Sequence, residues 1–246
     1  MRGVRGPTIA LGVITPSGNV VVERVATALL ASFPAVSGHF SRTEVTGSAD
    51  GYADDYDWDG MLRAATLLSH AAPAAIAWNG SKGGSIGFDR DELLCRRITQ
   101  STGIPATTST LAIRAALRAN GARRVALVTP YAASYASKIP PVFARAGFEV
   151  VAEAHAGLSD NLAYAAVPDA DILAMARAAA AARPDAILAY CTNFPAAHLV
   201  DLLERELGIP FYDSASAGVW GALRAAGAPT GAGRQWGSLF GQDLVV

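Results

Sequence analysis

Two stretches decide the fold: Pro73-Ala-Ala-Ile-Ala-Trp-Asn-Gly-Ser81 and Pro184-Asp-Ala-Ile-Leu-Ala-Tyr-Cys-Thr192. Both begin Pro-x-Ala-Ile, 111 residues apart, and both run from a short apolar segment into a polar turn. Three further pairs keep the same order along the chain. Val13-Ile-Thr-Pro16 matches Leu127-Val-Thr-Pro130 at an offset of 114, and Gly103-Ile-Pro105 recurs as Gly208-Ile-Pro210 at 105. Ala116-Leu-Arg-Ala-Asn-Gly-Ala122 recurs as Ala222-Leu-Arg-Ala-Ala-Gly-Ala228. Ordered matches at nearly constant spacing are the mark of an internal duplication. The chain therefore reads as two similar halves, 1–108 and 109–214. The helix after Ser214 is the counterpart of the helix after Ser109. It is expected to pack back on the first half, which makes that domain discontinuous (1–108 plus 215–246) around the second (109–214).

Outward from these stretches, apolar runs of strand length alternate with longer helical patterns. Strands are expected over Thr8–Thr15, His39–Val45, Ala74–Trp78 and Pro105–Thr108, then over Val125–Thr129, Glu149–Ala154, Ala186–Tyr190 and Pro210–Tyr212. Helices are expected near Asn19–Ser32, Trp58–His70, Arg90–Thr99, Leu111–Ala119, Ser134–Ala146, Pro168–Ala182, Pro195–Leu207 and Ser216–Ala226. Such alternation builds βαβ units around parallel sheets. The fold class is α/β: two pseudosymmetric, Rossmann-like domains with parallel sheets. Sheets of this kind place ligands at the carboxyl ends of their strands, so the site belongs in the cleft between the domains. The Gly-rich stretch Gly227–Gln242 reads as a tail, an edge strand or a dimer contact.

Composition excludes several classes. With 20 Lys+Arg against 21 Asp+Glu, the formal net charge of −1 gives no basic face for nucleic acid and no polybasic membrane anchor. Mean hydropathy is high at +0.26, yet no apolar run approaches the roughly 20 residues of a membrane span. Two cysteines, Cys95 and Cys191, do not make a disulfide framework. The four histidines (His39, His70, His155 and His198) lack ligand spacing, so no metal site is expected. Met1–Pro7 lacks the apolar core of a signal peptide, which points to the cytoplasm. Oligomeric state is not encoded, and a homo-oligomer is compatible with the sequence.

The residues just past each strand are the candidates for chemistry. After the first comes Pro16-Ser17-Gly18-Asn19, where backbone N–H groups and an Asn or Ser side chain can hold a carboxylate. The same residues serve equally as a plain helix cap. After the third comes Asn79-Gly80-Ser81-Lys82-Gly-Gly-Ser-Ile-Gly87, which fits neither phosphate-binding glycine pattern. Its glycines permit close backbone approach, and Lys82 attracts an anion or is simply solvated. After the fifth stands Tyr131, with Tyr135 one turn on; either a hydrogen-bond donor or packing suits them. After the seventh stands Cys191, with Thr192 and Asn193, at an expected strand-to-helix turn, where a helix N-terminus favours thiolate. Cys95 reads as a helix-face core residue. Aligning Ile76 with Ile187 sets Gly80 on Cys191 and Ser81 on Thr192, so two pseudosymmetric loops face one cleft.

At these residues the chain resembles the aspartate/glutamate racemase superfamily, in its maleate isomerase and arylmalonate decarboxylase branch. The resemblance spans nearly the whole chain. It rests on Pro16-Ser-Gly-Asn19 with Glu23, Trp78-Asn-Gly-Ser81, Thr129-Pro-Tyr131, Asp160-Asn161 and Tyr190-Cys-Thr-Asn193. It implies paired α/β domains around a cofactor-independent site that takes a small carboxylate. Racemases and maleate isomerases of this family carry one cysteine on each loop, whereas here the first position is Gly80. Decarboxylases have glycine there and one cysteine on the second loop. They lose carbon dioxide to an enediolate that the cysteine protonates. The resemblance implies a hydrogen-bond cradle from Ser81, Tyr131 and the backbone at Lys82 and Thr192. Thr192-Asn193 and Asp160-Asn161 follow the isomerase pattern instead, where the asparagine holds a substrate carboxylate. Lys82 fits neither branch.

The leading expectation is a cofactor-independent enzyme acting on a small (di)carboxylate by decarboxylation, with the enediolate protonated by Cys191. The expected substrate-binding residues are Pro16, Ser17, Asn19, Gly80, Ser81, Lys82, Tyr131, Asn161, Thr192 and Asn193. The alternatives are a maleate-type cis–trans isomerase, an amino-acid racemase using Lys82 as second base, and a carboxylate-binding module without chemistry.

Overall fold

The computed structural model describes residues 8–45 and 54–242. The stretches 1–7, 46–53 and 243–246 lie outside them, and with them the expectation for Met1–Pro7 and the ends of the first domain.

Two four-stranded parallel sheets form the frame. The first has strand order β2-β1-β3-β4, from β1 (Ile9–Pro16), β2 (Val36–Thr43), β3 (Ala75–Trp78) and β4 (Ala106–Thr108). The second has order β6-β5-β7-β8, from β5 (Arg124–Tyr131), β6 (Glu149–Leu158), β7 (Ala186–Ala189) and β8 (Phe211–Asp213). The two orders are the same, and the registers reproduce the sequence offsets. Gly12 pairs with Ile76 and Ile76 with Ala106, while Ala126 pairs with Ile187 and Ile187 with Phe211. The spacings 12 to 126, 76 to 187 and 106 to 211 are 114, 111 and 105. Sequence repeat and strand pairing thus define one duplication.

The central strands are buried on both faces, as parallel strands covered by helices must be, while the edge strands β2 and β6 are half-buried. All four residues of β3 and of β7 are buried. The helices are α1 (Val22–Leu30), α2 (Trp58–Ser69), α3 (Gly83–Ile86) and α4 (Phe88–Thr102) in the first half, with α5 (Ser109–Ala119) opening the second. They are followed by α6 (Ala133–Ala136), α7 (Ile139–Arg145), α8 (Asn161–Tyr164), α9 (Asp169–Ala180), α10 (Val200–Leu207) and α11 (Ser214–Ala225). One apolar core runs through both halves, from Leu11 and Ala77 to Leu127, Leu188 and Trp220. A second, built on Ile14, Met61, Leu68, Trp78, Leu94 and Ile98, seats α2 and α4 on the first sheet. The duplicated Gly-Ile-Pro segments end helices. Gly103 and Gly208 cap α4 and α10 with φ of 73° and 65°, a left-handed conformation that glycine adopts without a Cβ penalty. Helix α11 packs against α1, α5, β3 and β4.

Several elements differ from expectation for local reasons. The segment Ser134–Ala146 is two helices, because Pro140 and Pro141 lack N–H donors and fit only a first turn, that of α7. The glycine-rich stretch after β3 contains a helical turn, α3, rather than only a loop. Helix α1 begins at Val22, and Asn19 lies before it, with its side-chain carbonyl accepting from the N–H of Val21 and Val22. The chain between Cys191 and α10 holds only a 3₁₀ turn, Ala197–Leu199. The stretch Gly227–Gln242 is neither tail nor edge strand. It forms two 3₁₀ turns, Gly231–Trp236 and Ser238–Gly241, anchored by buried Leu239 and Phe240 and by Ser238 bonds to Glu204. Among the described residues no helix is long and apolar enough to cross a membrane.

Candidate active site

One cleft gathers the carboxyl ends of the strands. It is lined by Pro16, Asn19, Val45, Trp78, Gly80, Ser81, Lys82, Tyr131, Tyr135, Asn161, Tyr164, Cys191, Thr192 and Asn193, around about 60 Å³ of free space. A water needs at least about 10–15 Å³ measured this way, so the space takes a few waters or one small polar molecule.

Polar side chains stitch the halves together on one side of the cleft. The Asn19 amide donates to Thr192 Oγ1 (3.1 Å), and the Val20 N–H donates to Asn193 Oδ1 (2.9 Å). Asn193 Nδ2 donates to the Asn161 carbonyl (2.6 Å). The Asn161 Nδ2 is buried with no partner among the described residues, although the residue lines the cleft. A buried donor without an acceptor is costly, and a carboxylate in the cleft would satisfy it. Gly18 permits this placement: a Cβ there would lie 2.7 Å from that nitrogen. Arg42 holds the loop from behind, donating to the carbonyls of Ser17 (2.7 Å) and Asn19 (3.1 Å) while pairing with Glu23 (2.8 Å). Ser17 does not line the cleft. Its hydroxyl accepts from the Val45 N–H (3.1 Å) and faces the Val45 carbonyl (3.3 Å), which ties the end of β2 to this loop.

On the other side stands the thiol. Cys191 is 4 % exposed, follows β7, and accepts from the Asn193 N–H at 3.4 Å. Burial pushes the thiol up to about 12, against the lowering effect of hydrogen bonds from Tyr131 and the Asn193 N–H; the nearby carboxyl of Asp213 adds to the rise. The expected helix N-terminus is absent, since the chain after Cys191 turns without a helix until residue 197. The expectation of a helix N-terminus favouring thiolate is therefore corrected: no helix end faces this cysteine, and burial favours its neutral thiol form. Cys95, on α4, is likewise raised to about 12 by burial, and it lies outside the cleft.

Tyr131 links the two loops. Its hydroxyl meets Ser81 Oγ at 3.3 Å, and its ring packs edgewise on Tyr135 (4.7 Å) and Tyr164 (5.4 Å). Burial holds its phenol well above the usual range, so it acts as a neutral donor. Among the described residues, neither the Lys82 nor the Thr192 backbone N–H is spent on another protein group. Gly80 lines the cleft with Cys191, its counterpart in the repeat, but the space beside it is filled: a Cβ at Gly80 would overlap the Trp78 indole. Burial lowers the Lys82 ammonium, although Asp55 and Asp54 oppose this.

Ten of the eleven residues singled out from sequence line the cleft; Ser17 supports it from behind. Sequence reasoning missed Tyr164 and Val45. Tyr164 lies one helical turn after Asn161 on α8, and Val45 sits just past the end of β2, so both positions carried a signal.

The fold and the cleft define a duplicated α/β protein in which one thiol and a set of polar side chains line a single cleft. The arylmalonate decarboxylase family model matches residues 44–240, and the chain belongs to that family. It is 31 % identical over 249 residues to a maleate isomerase of Nocardia farcinica (strain IFM 10152), covering 96 % of this chain and 97 % of the relative. It is 28 % identical to an arylmalonate decarboxylase of Bordetella bronchiseptica, covering 99 % and 100 %. Among solved structures it superposes on the Pseudomonas putida S16 maleate isomerase with maleate at a TM-score of 0.85, with 25 % identity and coverage of 94 % and 97 %. It also superposes at 0.80, with 27 % identity and coverage of 91 % and 94 %, on a cysteine-to-serine mutant of the Nocardia farcinica enzyme that carries a succinylcysteine intermediate. The chain is thus an isomerase or decarboxylase of this type.

Proposed function

We propose that the chain decarboxylates a malonate-type dicarboxylate with one thiol and no cofactor. The bond from the α-carbon to one carboxylate breaks and carbon dioxide leaves. Its electron pair stays on the α-carbon and spreads into the retained carboxylate, giving an enediolate. That carboxylate is the electron sink, so none need be imported. Ser81, Tyr131 and the backbone N–H groups of Lys82 and Thr192 are aimed to donate to the enediolate oxygens; such preorganised donors contribute about 2.7–4 kcal/mol each. Cys191 then gives its proton to the α-carbon, and the thiolate recovers one from water. Pro16, Asn19, Asn161 and Asn193 bind and orient the substrate.

The observation that carries this reading is the overlap between a Gly80 Cβ and the Trp78 indole. Two-thiol chemistry needs a second sulfur on the first loop, and the indole takes its room. The neutral resting state of Cys191 agrees, because protonation of an enediolate needs an acid and adduct formation needs a thiolate. Two free thiols fit work in the cytoplasm. The packing of α11 on α1, β3 and β4 supports a division into 1–108 with 215–246 and 109–214, while its contact with α5 joins the two units.

One observation favours a maleate-type isomerase: the Asn19, Thr192, Asn193 and Asn161 hydrogen bonds join the residues that follow the isomerase pattern into one nest. Incubation in deuterated water with arylmalonates, alkylmalonates, maleate and both aspartate enantiomers, followed by NMR, separates the readings. The proposal expects α-deuterated monocarboxylates from malonates and unchanged maleate. Fumarate from maleate favours the isomerase, α-deuterated aspartate favours a racemase with Lys82 as second base, and binding without turnover leaves a carboxylate-binding protein.

A further inference from the structure

Five charged side chains cluster where Lys82 meets Asp54 and Asp55, and one of them forms no ion pair among the described residues. Asp54 pairs with Lys138 (2.9 Å) and Asp55 with Arg90 (2.5 Å). Lys82 forms no ion pair with any described residue. Its ammonium donates to the Asp55 backbone carbonyl (2.5 Å) and lies 5.9 Å over the Tyr56 ring. Of the three cations only Lys82 lines the cleft that holds Cys191. Asp54 and Asp55 lie near enough to act on this half-buried ammonium, but both are bonded to other cations, so its direct partners are a neutral carbonyl and a ring face and it keeps donors to spend. Lys82 directly follows Ser81, so its side chain flanks the cradle to which its backbone N–H contributes.

We propose that Lys82 receives an anionic group that the substrate keeps, so that the preferred substrates are malonates bearing an acidic side arm rather than an aryl group. The small free space agrees, since a carboxymethyl arm is more compact than a phenyl ring. The side-arm carboxylate replaces water on Lys82 and holds the α-carbon in register with Cys191, while the carboxylate that departs stays clear of the cation. A cation on the departing group would stabilise the ground state and slow its loss. The proposal rests on the carboxylate-binding reading of the cleft, and one arm of its test is independent of turnover.

In that arm, calorimetry compares succinate with butyrate, the same chain with one carboxylate replaced by methyl, on the wild-type protein and on Lys82→Gln, which keeps a donor for the Asp55 carbonyl. Wild type is expected to bind succinate at least about tenfold more tightly, and Lys82→Gln to erase the difference. In the second arm, kcat/KM for ethane-1,1,2-tricarboxylate is compared with that for isobutylmalonate, a neutral isostere. A preference of about tenfold or more is expected in wild type, lost in Lys82→Gln mainly through KM. The inference falls if succinate has no advantage over butyrate, or if the advantage survives Lys82→Gln. If the advantage is lost in the variant but no malonate is decarboxylated, the anion site stands and the decarboxylase reading falls.

Discussion

The loop after β3 and the loop after β7 occupy the same place in two copies of one fold, yet they differ in where volume is spent. In strand register Trp78 corresponds to Ala189, and Gly80 to Cys191. The second half puts a methyl group on the strand and a side chain on the loop. The first half puts an indole on the strand and only a hydrogen on the loop. Both arrangements fill the cleft floor, because interiors are packed to near-crystalline density and an added group must displace another. The duplication sets the geometry, and the exchange of volume between positions two residues apart leaves a side chain at Cys191 and none at Gly80 in the cleft lining. The strands that follow differ too. Thr108 ends β4 and caps α5, and its counterpart Asp213 ends β8 and caps α11 with a buried carboxyl beside the thiol.

The largest effect expected from this asymmetry is on Cys191→Ala. Removing the proton donor should lower turnover by up to about 10⁴-fold while leaving ligand binding and the melting temperature nearly intact. Wild-type rates in the variant would put the acid elsewhere.

Asp213 tests the asymmetry in stability. Burial raises its carboxyl from 3.8 to about 7, so folding favours the protonated form. That stability is fully present below pH 3.8 and is lost as pH rises through about 7. At about 1.4 kcal/mol per unit the loss reaches about 4 kcal/mol. Urea unfolding at pH 5 and pH 8 should show a falling midpoint in wild type and a flatter profile in Asp213→Asn. A profile equally steep in the variant would leave the dependence to Asp91, which burial raises to about 6 and which Thr108 and Tyr56 hold.

The cradle comes next. Tyr131→Phe and Ser81→Ala should each lower kcat by about 10²–10³-fold with little change in KM. A rise in KM alone would make them ground-state anchors.

The smallest effect bears most directly on the two loops. Gly80→Cys should cost about 1–3 kcal/mol through overlap with the indole. In a Trp78→Ala background the same change should cost much less, and a double-mutant cycle reads that coupling. Additive costs would mean that Trp78 does not close the second thiol position.

The repeat motifs foretold the frame because they sit where geometry tolerates few residues. Gly103 and Gly208 supply left-handed helix ends, and the Ala-Ile pairs open two fully buried strands. The loops were legible because carboxyl ends of parallel strands converge wherever this fold forms. Elements set by side-chain competition were harder to read. The break between α6 and α7 follows from Pro140 and Pro141, but nothing local foretells that α10 starts so far past Cys191 or that Ser17 turns from the cleft to clasp Val45.

By itself, then, the sequence determined a duplicated α/β chain with one thiol opposite a glycine, because repeats, period and residue identity are local properties of the chain. Only the tertiary structure decided that burial raises the thiol, that the glycine cannot be replaced without moving Trp78, and that Lys82 reaches the cleft while Asp54 and Asp55 pair with Lys138 and Arg90. Each depends on which distant groups are brought close and which are cut off from water, and those are properties of packing.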